Sequence, residues 1–478
     1  MTMKTLFLNP PSFEGYDGGA GARYQARREV RSFWYPTWLA QAAACVPGST
    51  LIDAPPSDIG IDEVIHRTAG HDLVIMHTST PSARVDARTA ARLKQAYPQL
   101  KVGFVGAHTM IRWEDTLQRS PAVDFATTGE FDDAVREVTE GKSISEVHGV
   151  AWRAPDGTIV RNPARPIIHD LERLPWVVDV YRKFLDIPKY YNGYLQHPYI
   201  SLYTGRGCRS KCTFCLWPQT ISGHLYRVRS VDNVLREMAH AKEIFPEVNE
   251  YFFDDDTLTD NRPRSEEIAR GMAKLGLCWS CNAKPDVPHE TLDVLKDNGL
   301  RLLLVGFESG NQEILNNIKK GTRVDRAKKF AESCHKLGIL MHGTFIVGLP
   351  GETHETLEKT IQFAKEVDPY SIQVSLAAPY PGTELHRQAH ANGWLPPEDP
   401  SLTNDGIQDA VISYDSLKAD EIHAALERFY RAYYLRPKPI LRIMNDMIRD
   451  WGTMKRRLRE GREFFAFMTK RTSQRAAV

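Results

Sequence analysis

The sequence has no apolar run long enough for a bilayer: stretches such as Leu302–Val305 and Phe345–Leu349 fall far below the roughly 18 residues a spanning helix needs. Residues Met1–Pro10 hold one early lysine and only a few apolar positions, without the longer apolar region and small-residue site of an export signal. A cytoplasmic protein is expected. An excess of one charge is also missing. Lys+Arg number 61 and Asp+Glu 60, a net of +1, which argues against nucleic acid as a partner gathered by overall charge. Cysteine is sparse and odd in number. Seven thiols in a 478-residue chain without an export signal exclude a disulfide scaffold and point to metal or redox chemistry. No G-x-G-x-x-G or Walker-type glycine–lysine loop occurs, so nucleotide phosphate is not the ligand the sequence announces.

What is present is an ordinary soluble composition, 42% hydrophobic and 25% charged, in a chain long enough for about two to four units. Over residues 1–145, short apolar runs alternate with helical stretches: Lys4–Asn9, Thr50–Ala54, Leu73–His77, Lys101–Gly106 and Ala122–Thr128. This is the pattern of a doubly wound, Rossmann-like parallel sheet, which binds ligands at the carboxyl ends of its strands. Those ends carry small and polar residues, among them Asn9, Thr78, Gly106, His108, Thr109, Gly129 and Glu130. Residues 146–196 read as a connector containing a hairpin, with Pro155-Asp156-Gly157 at its turn.

Between 197 and 395 a second alternation begins. Strands are expected at Tyr199–Thr204, Glu250–Asp254, Leu277–Ala283, Arg301–Gly306, Met341–Val347 and Ser371–Ala377, with helices such as Val231–Ile244 and Arg264–Lys274 between them. Six β/α units make a partial TIM-type barrel, whose active site belongs at the carboxyl ends of the strands. Residues 396–478 read as a proline-rich loop followed by a helical, basic region.

Directly after the first of these strands stands Cys208-x-x-x-Cys212-x-x-Cys215, with Phe214 before the last thiol. Three thiolates in one short loop can wrap a [4Fe–4S] cubane and leave its fourth iron open. S-adenosylmethionine (SAM) can chelate that iron through its amino and carboxylate groups, and an electron from the cluster then cleaves the sulfonium to release a 5′-deoxyadenosyl radical. The competing reading is structural zinc, which would want a fourth ligand such as His224.

With the triad and the strands behind it, the chain resembles the radical SAM superfamily, and over its length the subgroup with an N-terminal cobalamin-binding-type domain. Phe253-Asp254-Asp255-Asp256 resembles the acidic version of the motif at the SAM amino group, and Val305–Gly310 the segment whose glutamate, here Glu308, holds the ribose. Gly343–Glu352 resembles the segment that packs on the adenine, and Pro379–Thr383 the end of the sixth strand. The resemblance implies SAM contacts from Phe214, Asp254, Asp255, Asp256, Asn282, Glu308, Ser309, Ile346 and Gly348. It also implies a cobalamin contact at the small and polar strand ends named above. The D-x-H-x-x-G motif that supplies an axial histidine in other cobalamin proteins is absent, so cobalt would lack a histidine from that motif.

Lys4–Arg31 and Ser32–Ala43 resemble the hopanoid-biosynthesis-associated radical SAM protein of the cyclitol-ether branch. That resemblance implies an amphiphilic hopanoid substrate, ring contraction of its glucosamine to an aminocyclitol, and a flavodoxin- or ferredoxin-type electron donor. The alternatives are a cobalamin-dependent radical SAM methyltransferase and a non-catalytic iron–sulfur sensor.

The remaining features have plainer readings beside sharper ones. Cys278 and Cys281 sit three apart in an expected strand and point to opposite faces, which argues against shared ligation. Cys45 and Cys334 are expected to be packed. Arg23–Ser32 followed by Phe33-Trp34-Tyr35 is either a substrate entrance or lipid contact, or a solvated helix and packing loop. From Leu435 to Val478 twelve Lys/Arg face four Asp/Glu, and Ile440, Ile443, Met444, Met447 and Trp451 can be drawn as one stripe. An interfacial helix that touches the membrane peripherally and a helix docked on the barrel fit that pattern equally.

Overall fold

A computed structural model of the chain describes residues 2–12, 32–396 and 410–449, with the short stretches 454–455, 457–459 and 461–463. Arg23–Arg31, most of the distinctive N-terminal segment, and Trp451 lie outside the described residues.

The first unit runs β1 (Thr5–Asn9), α1 (Thr37–Ala44), β2 (Thr50–Asp53), α2 (Ile61–Thr68), β3 (Leu73–His77), α3 (Ala83–Ala96), β4 (Lys101–Val105), α4 (Ala107–Arg119), β5 (Phe125–Thr127), α5 (Asp132–Thr139), β6 (Val150–Arg153) and β7 (Ile159–Arg161). Its central strands β1 and β3 are buried along their whole length because both faces are covered. The period-two alternation sends Leu6, Leu8, Val74, Met76, Val102 and Phe104 into one core and Phe7, Leu73, Ile75 and Val105 into another. The sheet order is β2-β1-β3-β4-β5-β6-β7. β1 to β5 are parallel, and the order reverses between β1 and β3, which opens a crevice at their carboxyl ends. The hairpin expected in the connector is present, but β6 and β7 add to this sheet as antiparallel edge strands. The connector then reduces to α6 (Val178–Phe184) and its flanking turns.

The second unit continues with β8 (Tyr199–Leu202), β9 (Gly205–Arg206), α7 (Leu216–Gln219), β10 (Arg227–Val228), α8 (Val231–Ile244), β11 (Glu250–Phe253), α9 (Arg262–Lys274), β12 (Trp279–Ala283), α10 (His289–Asp297), β13 (Leu300–Glu308), α11 (Gln312–Asn317), α12 (Val324–Leu337), β14 (Leu340–Val347), α13 (His354–Val367), β15 (Ser371–Leu376) and α14 (Glu384–Ala391). Its main sheet is six parallel strands in the order β8-β11-β12-β13-β14-β15, the half-barrel the alternation predicts. α15 (Ala419–Tyr434) and α16 (Pro437–Arg449) follow.

Six strands do not close a barrel, so β8 and β15 are edges with unpaired backbone groups. Tyrosine hydroxyls cover both. Tyr35 and Tyr181 donate to the carbonyls of Tyr199 and Ser201 at 2.6 and 2.9 Å. On β15 the amides of Ile372 and Val374 donate to the hydroxyls of Tyr434 and Tyr430 at 3.0 and 2.9 Å. The N-terminal unit with α6 thus seals one side of the barrel and α15 the other. No helix among the described residues is long and apolar enough to cross a membrane.

Candidate active site

The three cysteines lie on the loop after β8, at the carboxyl end of the barrel. The loop is closed at its base by a two-stranded antiparallel ribbon, β9 with β10. Gly207 enters it at φ +95, and a Cβ there would lie 2.2 Å from the Leu225 carbonyl oxygen, so only glycine makes this turn. Gln219 holds the interior. Its amide nitrogen donates to the carbonyls of Cys212, Thr213 and Cys215 at 3.1, 3.1 and 2.8 Å, while its oxygen accepts the Glu384 amide at 2.8 Å. The Thr213 amide donates to the Ile318 carbonyl at 3.0 Å. No periodicity or motif marks Gln219, and its role is visible only in three dimensions.

All seven cysteines are free thiols. Burial pushes the Cys212 thiol up, and burial with the neighbouring Asp256 does so more strongly for Cys215. Among the described residues no three His, Cys, Asp or Glu side chains converge on one point as a single zinc ion would require. A cubane makes the opposite demand, since each thiolate takes a different iron. Three thiols spread along one loop are the donor type and spacing such a cluster takes. Cys281 is buried in β12 while Cys278 lies just before it, and Cys334 is packed in α12, all apart from the triad.

The acidic run after β11 separates into three roles. Asp254 accepts from Tyr203 at 3.3 Å and from Asn282 at 3.2 Å. Asp255 is wholly buried and accepts from the amide and hydroxyl of Thr204 at 2.5 and 2.7 Å and from Tyr226 at 2.7 Å. Its oxygens are committed to the scaffold, which turns it away from the SAM contact implied by resemblance. Asp256 accepts from the Ser222 hydroxyl at 3.2 Å beside the cysteine loop. Burial raises its carboxyl to about 7, with Asp254 and Asp255 adding to the effect. Thr257, next in the chain, brings its hydroxyl 3.8 Å from the Cys208 sulfur.

Glu308 ends β13 at φ 62, where the register with β14 shifts. Its carboxylate pairs with Lys320 at 2.7 Å. Burial opposes that ammonium, but Glu308 and the thiols of Cys212 and Cys215 hold it charged. A Cβ on Gly306 would lie 2.5 Å from the Glu308 carboxylate, so this glycine makes room for the pair. Ser309 is buried against Thr360 at 3.0 Å and shapes the turn. Ile346 lies on β14, and Gly348 follows it at φ 86. The Gly348 and Leu349 amides donate to Glu352 at 2.6 and 3.1 Å, which fixes this loop from beneath. Phe214 is half-buried against the core.

A cleft joins the two units. Thr78, Ser79, Thr80 and Ala107 come from the carboxyl ends of β3 and β4, and Leu216 and Trp217 directly follow the last cysteine of the triad. One chamber therefore touches both strand ends and cluster loop. Its aromatic and aliphatic walls with a hydroxyl rim suit a mostly apolar surface with polar edges. Gly106 sits at φ +120 where a Cβ would be 2.4 Å from the Thr78 carbonyl. His108 contacts the Thr80 hydroxyl at 3.2 Å, and burial lowers its imidazole to about 4, so it is neutral near pH 7.

Other strand-end residues are engaged elsewhere. Asn9 donates to Asp53 at 2.6 Å, and Thr109 donates back to the Gly106 carbonyl at 3.0 Å. Gly129 has open space around its Cα. Glu130 is taken by the second unit: both its oxygens accept from Arg227 at 2.8 Å, and one also accepts the Ile168 amide at 2.7 Å. Beside it Asp132 holds Arg206 at 2.7 and 3.1 Å, with Trp38 stacked 4.3 Å from that guanidinium. The carboxylate expected at a corrin is instead half of a clamp on the cysteine-loop ribbon.

The profile described as Radical SAM superfamily matches residues 202–364. The barrel is a radical SAM domain. With the triad at its mouth, the chain is a radical SAM enzyme of the [4Fe–4S] type. An uncharacterized methyltransferase of Pyrococcus horikoshii is 28% identical over 92% of this chain and 94% of its own length. An anaerobic magnesium-protoporphyrin IX monomethyl ester cyclase of Rubrivivax gelatinosus is 27% identical over 81% of this chain and 70% of its own. Among solved structures, the radical SAM methyltransferase TsrM of Kitasatospora setae superposes with a TM-score of 0.67 over 90% of this chain and 89% of its own at 14% identity. The cobalamin-dependent SAM radical enzyme OxsB does so at 0.70 over 98% of this chain and 71% of its own, also at 14%. At such identities the shared property is the fold, in which both units of this chain take part.

Proposed function

We propose that the chain is a cobalamin-dependent radical SAM enzyme, and that methyl transfer to a small organic substrate is its reaction. The observation that carries this reading is a cleft shared by the carboxyl ends of β3 and β4 and by Leu216 and Trp217, which directly follow Cys215. Methyltransferases among the relatives, and cobalamin in structures of the same two-unit fold, support it.

Cys208, Cys212 and Cys215 would hold the cluster, with Glu308, Asp254 and Asn282 around SAM and the Ile346–Gly348 segment at its adenine. Thr78, Ser79, Thr80 and Ala107 would hold the corrin, with Trp38 and Tyr203 excluding water. When bound, the cluster and SAM supply a 5′-deoxyadenosyl radical, and cobalamin a transferable methyl group. The protein's own contribution is to keep the chamber apolar and the thiolates desolvated.

A second reading is ring contraction of a glucosaminyl hopanoid. The resemblance in Lys4–Ala43 is its ground. A flavodoxin or ferredoxin would serve either reaction as electron donor.

The test is anaerobic reconstitution with iron, sulfide, cobalamin and SAM. Deoxyadenosine together with S-adenosylhomocysteine supports methyl transfer. Deoxyadenosine alone with a glucosaminyl hopanoid, and a changed sugar by mass spectrometry, supports ring contraction. Absence of deoxyadenosine across a broad substrate screen would overturn both in favour of a sensor.

A further inference from the structure

Helix α16 is docked on the barrel by the wrong face for a solvated helix. Its polar side points inward. Arg442 donates to Asp368 at 2.8 Å and to the Pro369 carbonyl at 2.6 Å, and Asp446 accepts from the Tyr370 hydroxyl. Arg436 and Lys438 add to the same buried Asp368 at 3.1 and 2.7 Å. The outer face is mainly apolar: Ile440, Leu441, Met444 and Ile448 are 41, 63, 50 and 81% exposed, with Lys438 and Asn445 at its border. At 100° per residue these four fall within an arc of about 100° on one side of the helix. Ile443 and Met447, expected on the stripe, are half-buried instead. Leu435 and Leu458 are also exposed, so among the described residues most of the exposed large apolar side chains gather in this short region. Such a patch marks an interaction surface.

We propose that this stripe is a peripheral attachment site for an anionic lipid bilayer. The partner is selected by charge. Residues 435–478 hold a surplus of eight positive charges, and Lys438 flanks the stripe at 71% exposure. An apolar helix face bordered by cations is the arrangement that enters a headgroup layer. A second copy of the chain is disfavoured by the same charges, because a two-fold contact would set each basic region against itself. Asp368–Tyr370 precede β15 and so lie at the amino end of the barrel strands, opposite the cysteine loop. Attachment there leaves the cleft open, and the inference is independent of which reaction the cleft performs.

The test is cosedimentation of the full-length, cluster-loaded protein with vesicles of phosphatidylcholine alone or mixed with phosphatidylglycerol. The expected result is binding to the mixed vesicles that weakens with salt. The combined substitution Leu441→Ser, Met444→Ser and Ile448→Ser should lower the partition coefficient at least about a hundred-fold. These side chains are exposed, so the fold should survive, which circular dichroism checks. Val160→Ser, an exposed apolar position on the β6–β7 hairpin, should change nothing. The proposal is overturned by an absence of vesicle binding or by binding that ignores phosphatidylglycerol. Binding unaltered by the serine variant would also overturn it, as would a solution dimer that the variant turns into a monomer.

Discussion

Replacing Glu130 by glutamine should destabilise the boundary between the two units. Glu130 and Arg227 are 1 and 2% exposed, and two parallel 2.8 Å bonds join them. Glutamine keeps the shape but strands a buried guanidinium, a loss of about 3–5 kcal/mol. Arg227 would retain its bonds to the Ile168 and Ser222 carbonyls, so the ribbon is loosened and not expelled. Because that ribbon closes the cysteine loop, the iron-to-protein ratio after gel filtration should fall together with the urea midpoint. Removing both charges, Glu130→Leu with Arg227→Met, should recover only part of the loss. The buried ion pair is dispensable, but the two carbonyls then lack a donor, at about 1–3 kcal/mol each. A double-mutant cycle on the urea midpoint with iron quantitation reads all of this. If Glu130→Gln leaves the midpoint and iron content unchanged and weakens only cobalamin binding, the carboxylate belongs to the ligand and the clamp is wrong.

Alanine at Cys208, Cys212 or Cys215 should abolish both bound iron and deoxyadenosine formation, whereas Cys278→Ala or Cys281→Ala should keep the iron; iron quantitation decides. Gln219→Leu removes three bonds to loop carbonyls, and at about 1 kcal/mol each it should speed cluster loss on exposure to a chelator, followed by absorbance. Lys320→Met removes the ammonium between Glu308 and the thiols, so the cluster's midpoint potential should become more negative and SAM binding weaker, while Lys320→Arg keeps more of both. Burial raises Glu352 from 4.5 to about 8. The folded state holds that proton more tightly than the unfolded one, so its contribution is complete below pH 4.5 and is lost as pH climbs to about 8. Glu352→Gln, an uncharged stand-in, should flatten this part of the stability–pH curve, measured by urea melts across the range.

The strands were legible because a strand buried on both faces must be a short apolar run. Leu73–His77 and Val231–Ile244 carry the same limits in sequence expectation and structure. Cys208, Cys212 and Cys215 were legible because a cubane dictates ligand type and close spacing. Long-range polar roles were not. Nothing near Glu130 in the sequence announces Arg227, and the β9–β10 ribbon is too short to show a period. Three adjacent aspartates look alike on paper, yet neighbours as distant as Thr204 and Ser222 decide which is scaffold and which faces the thiols. The hairpin was legible as a hairpin but not as an edge of the first sheet, since pairing with β5 depends on register that local turn chemistry does not encode.

The open barrel explains why these units occur in one chain. Each edge strand exposes backbone groups that water or another strand would otherwise satisfy, and here tyrosine hydroxyls from outside the barrel do so on both flanks. The N-terminal unit is therefore part of the barrel's wall as well as a candidate ligand domain. Its second attachment, through Glu130 and Asp132, reaches the ribbon at the root of the cysteine loop. Docking of the sheet and ordering of the loop share residues, so they share free energy, and a ligand bound in the cleft between them must stabilise both. A radical site needs that coupling. The residues that hold the two units together are the ones that anchor the root of the cysteine loop.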